Sequence, residues 1–191
     1  AHVKVVRRSM RPEEWTDLRF VWLQRGIYEE KFEITDLEIR DARQISEDQY
    51  EYYSDEYRPL KKDDMYFTPD GTAFIRGHVQ IPAHMKGKNI YFTLHTAAEM
   101  IVKINGKYVG GVDPNRERIL LNPYIDSDDL TIEIEAYNRS KPDDERNPAS
   151  LAHRGCRQIF EGAYLSTIRD NVQSLVYDYI LFMDIAHSEY F

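Results

Sequence analysis

The chain has 191 residues, a length that one hydrophobic core can serve, since single cores stop growing only beyond roughly 250 residues. Its 42% hydrophobic and 13% aromatic content, with 14 tyrosines, argues against disorder and for an aromatic-packed β structure. A formal charge of −8 argues against nucleic acid as a partner, because phosphate binding needs clustered Lys and Arg, and no apolar run approaches the roughly 20 residues of a membrane span.

The first element is a helix starting at Arg11-Pro12-Glu13-Glu14, with proline in the first turn and carboxylates at the positive end of the dipole. Trp15, Leu18, Val21 and Trp22 follow at helical spacing and read as its packing face. Tyr28 to Ile34 reads as a strand. The acidic stretch from Ser46 to Asp64 shows no clean period and reads as irregular; its Tyr50, Tyr52, Tyr53 and Tyr57 either cover the edge of the sandwich, the favoured reading, or stack on sugar rings.

From Thr72 the pattern sharpens: Ala73, Ile75, Val79 and Ile81 alternate with Phe74, Arg76, His78 and Gln80 until Pro82 stops the strand. Ile90, Phe92 and Leu94 repeat the alternation, as do Met100, Val102 and Ile104 before Asn105-Gly106, a hairpin turn signal that returns the chain through Lys107 to Val112. In Leu130 to Tyr137 the apolar Leu130, Ile132, Ile134 and Ala136 face one way, and Thr131, Glu133, Glu135 and Tyr137 face the other. A polar loop with Pro142 and Pro148 precedes a last strand from Ile159 to Ile168. A long helix follows, its stripe marked by Val172, Leu175, Val176, Tyr179, Met183 and Ala186.

Together these elements predict a mainly β fold. It is an antiparallel β-sandwich of jelly-roll or galactose-binding-like type, with a short N-terminal helix and a long C-terminal helix. The expected organisation is a single domain over 1–191: a less regular part over 1–71, sandwich strands over 72–168 and a helix over 170–191. That helix reaches Tyr190-Phe191 with no cap or stop signal, so the expectation is a polypeptide that continues.

Little in the sequence points to chemistry. Cys156 is the only cysteine, which precludes an internal disulfide or thiolate metal cage and favours the cytoplasm. His2, His78, His84, His95, His153 and His187 lack the close spacing of zinc ligands, so no metal site is expected. The acidic pairs Asp63-Asp64, Asp128-Asp129 and Asp143-Asp144 read as turn and loop residues, and no nucleophile elbow, phosphate loop or dinucleotide fingerprint occurs. The most distinctive segment is Glu99 to Glu117, where Gly110-Gly111 leads into Asp113-Pro114-Asn115-Arg116 at a strand end. Asp113, Asn115 and Arg116 are the candidate binding or interface residues.

The order of these segments resembles the N-terminal β-sandwich domain of the bacterial and vacuolar-type α-mannosidases of glycoside hydrolase family 38. The likeness runs from Phe74-Ile75-Arg76 through Ile81-Pro82 and Gly87 to Phe92, and is most specific in Glu99 to Arg116. It continues through a Leu-Leu pair, Ile132 to Tyr137 and Phe160 to Leu165, covering roughly Thr72 to the end. Ala73-Phe74 stands where that family more often has Trp-Phe, and His95 to Glu99 where it has a Gly-Gly-Glu type approach. The resemblance implies a non-catalytic domain that supports a downstream catalytic domain or oligomer assembly. Zinc and an aspartate nucleophile would lie in that absent domain, with no cofactor in this chain. The implied partners are the downstream catalytic domain, further copies of the chain and mannose-containing glycans; the alternative reading is a stand-alone carbohydrate-binding module for mannosides.

Overall fold

A computed structural model describes residues 12–64, 71–96, 98–113, 116–137 and 160–188, the side chains of 12–18 and 186–188 excepted. Eleven strands occur among them: β1 (Tyr28–Ile34), β2 (Asp36–Ser46), β3 (Gln49–Tyr52), β4 (Arg58–Pro59), β5 (Thr72–Gln80), β6 (Tyr91–Leu94), β7 (Glu99–Ile104), β8 (Lys107–Val112), β9 (Arg118–Leu120), β10 (Asp129–Tyr137) and β11 (Ala163–Ile168). Helix α1 (Pro12–Arg25) precedes them and α2 (Asp170–Ser188) follows. The chain forms two compact units, Lys31–Thr167 on one hand and Ala1–Glu30 with Ile168–Phe191 on the other.

The larger unit is the antiparallel sandwich that the period-two patterns predict. One sheet has the order β1-β11-β6-β9; the other runs β3-β2-β5-β10-β7-β8, with β4 added beside β2. Strand β10 is central, pairing with β5 from Asp129↔Gln80 to Tyr137↔Thr72 and with β7 from Ile132↔Ile104 to Tyr137↔Glu99. Its burial alternates strictly, with Leu130, Ile132, Ile134 and Ala136 inside. These meet Phe92, Leu94 and Leu165 of the smaller sheet in one continuous cluster with Ile39, Ile75 and Val102. Burying each large aliphatic side chain contributes about 1.5–3 kcal/mol, and a one-residue slip of β10 would turn all four of its apolar residues to water.

Two readings of the sequence change. The stretch from Ser46 to Asp64 is not wholly irregular: β3 pairs with β2, placing Ala42 opposite Tyr52 and Gln44 opposite Tyr50, and β4 places Pro59 opposite Glu38. Its sheet face carries tyrosines rather than aliphatics, so no hydrophobic period marks it. The glycines at 110 and 111 have a structural cause. Val102 pairs with Gly110 but Lys103 with Tyr108, which leaves Val109 as a bulge, and Gly110 takes φ 149° beside it. The last strand begins at Ala163; the expected start at Ile159 and the loop holding Pro142 and Pro148 lie outside the described residues.

In the helical unit, Val176 is buried and Phe20 stacks on Tyr179 with ring centroids 5.0 Å apart. Arg169 joins the exit of α1 to the entry of α2, its backbone N–H donating to Ile27 O at 2.7 Å and its Nη1 to Gly26 O at 2.9 Å. Val21 and Trp22, expected in the packing face, are instead 39% and 58% exposed, because Phe20 takes the place against α2. Leu175, expected in the stripe of α2, is likewise 53% exposed.

Candidate functional site

The strict alternation of β10 presents Glu133 and Glu135 on the outer face of the seven-stranded sheet. Register then decides their neighbours. Glu133 lies between Arg76 of β5 and Lys103 of β7, and Glu135 between Phe74 and Ile101. Further out, Arg76 stands opposite Glu38 of β2 and binds it through Nε at 2.8 Å and Nη2 at 2.7 Å. Alternating charge across neighbouring strands of this kind stabilises a sheet by about 0.2–1 kcal/mol per pair.

Tyr50 and Tyr52 of β3 and Tyr57 of the following loop lie over this face rather than over an edge of the sandwich, while Tyr53 is 58% exposed. Tyr50 meets Phe74 edge-on with centroids 4.9 Å apart, and Tyr52 meets it tilted at 5.6 Å. The Arg40 guanidinium sits 3.5 Å from the centroid of Tyr52 and 4.8 Å from that of Tyr57, while Arg76 lies 4.0 Å from Tyr57. Such cation–π contacts hold both partners in place. Tyr50 donates its hydroxyl to Glu135. That hydrogen bond, with lesser help from burial and the Glu135 charge, pushes the phenol from its ordinary 10 up to about 12.

Between this aromatic layer and β8 runs a groove of about 240 Å3, lined by Tyr57 and Arg76 on one side, Tyr108 and Lys103 on the other, with Glu133 and Glu135 in its floor. Tyr108 is 67% exposed, with Lys103 Nζ 4.5 Å from its ring centroid. Three strand spacings separate β5, which carries Arg76, from β8, which carries Tyr108, so these two strands lie roughly 14 Å apart. The arrangement offers flat apolar faces at its ends and charged hydrogen-bonding groups between them. Glu133 and Glu135 are exposed on this face, and the combination is not visible in the sequence, because only the register places them beside Arg76, Lys103 and the two tyrosines.

The residues singled out in the sequence lie elsewhere. Asp113 and Arg116 close the turn between β8 and β9, where their backbones pair at 3.0 Å in both directions. Asp113 Oδ1 accepts from Arg116 N at 3.0 Å, and its Oδ2 pairs with Arg116 Nε at 3.3 Å, so the two side chains meet each other. Asn115 lies outside the described residues.

Next to that turn is a polar chain. His95 Nδ1 meets Glu117 Oε2 at 2.6 Å and Nε2 meets Lys31 Nζ at 3.2 Å; with Nδ1 donating to the carboxylate, Nε2 accepts from the lysine. Lys31 also lies 4.8 Å from the ring centroid of Tyr164. Loss of water around Lys31, helped by the charge of Lys62, lowers its pKa against the opposing pull of Glu117 and Glu161. An open trough of about 540 Å3 runs past Phe32, Asp36, Gln80 and Lys86 at the end of β5. Two of the polar groups that line it are matched, His78 with Asp129 and Lys86 with Asp128. Among the described residues no three His, Cys, Asp or Glu side chains gather to hold a metal, and no helix is long and apolar enough to cross a membrane.

No family model matches the chain, and no curated protein does. Two solved structures are among those it is similar to. One is a β-D-glucuronidase from Dictyoglomus thermophilum, at 14% identity and TM-score 0.40, over 73% of this chain and 29% of that one. The other is a β-glucuronidase from glycoside hydrolase family 2, at 16% identity and TM-score 0.42, over 71% of this chain and 17% of that one. The chain thus spans less than a third of either. The resemblance to family 38 α-mannosidases is corrected by these findings: both of these neighbours are β-glucuronidases, one of them from glycoside hydrolase family 2. The hairpin of β7 and β8 that carried the resemblance follows from general turn and bulge chemistry, which unrelated sandwiches share.

Proposed function

We propose that this chain is a glycan-binding, glycosidase-associated domain that holds an oligosaccharide across the outer face of its larger sheet, between Tyr57 and Tyr108. The observation that carries the reading is the pairing of two aromatic walls with a floor of alternating cations and carboxylates. A sugar ring has an apolar face that stacks on tyrosine and a rim of hydroxyls that both donate and accept, and the groove supplies a partner for each. Two cations and two carboxylates leave the floor without net charge, which fits a neutral sugar better than an anionic one. Joined to a catalytic domain, such a module raises the effective concentration of substrate without taking part in bond cleavage.

Isothermal titration against a panel of neutral and acidic oligosaccharides tests the reading. Saturable binding is expected from neutral members, with Tyr108→Ala weakening it about tenfold, the equivalent of about 1.4 kcal/mol and within the range of one aromatic contact. No saturable heat from any member, or binding that ignores both Tyr108→Ala and Tyr57→Ala, refutes it.

A further inference from the structure

The helical unit leaves more apolar surface in water than a monomer of this size needs. On α2, Leu175, Leu181, Phe182 and Ile185 are 53%, 57%, 68% and 46% exposed, although Val176 on the opposite side is buried. A helix that is apolar on both sides is a helix covered on both sides. On α1, Val21 and Trp22 add 39% and 58% exposure at the i, i+1 positions that Phe20 leaves outside.

The charges on these two faces differ in sign. Arg25 follows Val21 by four residues and Trp22 by three, which places it within the exposed patch of α1. Asp178 follows Leu175 by three and precedes Leu181 and Phe182 by three and four, which places it within the patch of α2. Both are exposed. Each patch is therefore apolar around one central charge, basic on α1 and acidic on α2.

We propose that these faces dock a second copy of this chain, α1 of each copy against α2 of the other, in a twofold four-helix arrangement. A twofold axis makes the contact twice, so both Arg25–Asp178 pairs form together. The six side chains offer on the order of 600 Å2 per copy, or about 1,200 Å2 for the pair, which reaches the lower edge of specific interfaces.

Sedimentation velocity of the full chain over a hundredfold range of micromolar concentrations tests the proposal. A monomer–dimer equilibrium is expected, and Phe182→Glu shifts its midpoint to at least tenfold higher concentration. Arg25→Glu and Asp178→Arg each weaken the dimer, and the double variant regains it because both pairs are reversed together; circular dichroism confirms that each variant is folded. A chain that stays monomeric throughout, a dimer indifferent to Phe182→Glu, or a double variant no better than its parents overturns the proposal. So does a monomer that co-sediments with phosphatidylcholine–phosphatidylserine vesicles, which assigns the face to a lipid surface.

Discussion

Asn105 ties the hairpin of β7 and β8 to β10, and replacing it separates two effects. Asn105 and Gly106 both lie at positive φ, 50° and 74°, as a two-residue hairpin between paired Ile104 and Lys107 requires. The side chain of Asn105 also reaches β10: its Oδ1 accepts from Thr131 N at 2.8 Å and Thr131 Oγ1 at 3.2 Å, and its Nδ2 donates to Asp129 O at 3.4 Å. Alanine loses these bonds and incurs the left-handed penalty of about 1–2 kcal/mol. The bonds are exposed to water, so together they contribute about 1 kcal/mol, at the low end of the usual range. Asn105→Ala is therefore expected to cost about 2–3 kcal/mol, while Asn105→Gly, which tolerates positive φ, costs about 1–1.5 kcal/mol. Urea titration followed by the β signal in circular dichroism is the suitable assay, because both tryptophans, Trp15 and Trp22, lie on α1 and report the helical unit. In a thermal scan about 2 kcal/mol corresponds to a drop of roughly 4–8 °C. Equal and negligible losses for the alanine and glycine variants would refute both the conformational and the bonding arguments.

Two further outcomes follow from the titrating groups. Tyrosinate absorbance is expected to show one phenol titrating near 12 that vanishes in Tyr50→Phe. Because the folded pKa lies above the ordinary 10, the contribution of Tyr50 to stability is complete below that pH and disappears as the pH rises towards 12; a Tyr50→Phe variant with an unchanged alkaline titration contradicts this. Lys31 has a lowered pKa and Lys62 a raised one, so sparing acylation followed by peptide mass spectrometry is expected to modify Lys31 ahead of Lys62, and equal labelling at limiting reagent counts against it.

What the sequence reveals depends on whether one residue or several strands set the feature. Strand β10 and the turn at Asn105-Gly106 are legible because period-two burial and positive φ act on consecutive residues. Strand β2 escapes notice despite its eleven residues, since Glu38, Arg40 and Asp41 interrupt the inward Leu37, Ile39 and Ala42, and a layer of tyrosines rather than a run of aliphatics covers its outer side. The groove escapes for a deeper reason. Tyr57, Arg76, Lys103, Tyr108 and Glu133 come from four strands and a loop, far apart in the sequence, and the pairings Glu133↔Arg76 and Glu133↔Lys103 bring the strands that carry them together. Around Asp113 and Arg116 the structure adds local partners to the local signal: the glycines at 110 and 111 serve a bulge, and the aspartate closes its own turn on the arginine. Local chemistry therefore marks the turns of this sandwich more plainly than the groove proposed to bind a glycan, whose residues are brought together only by the register of the strands that carry them.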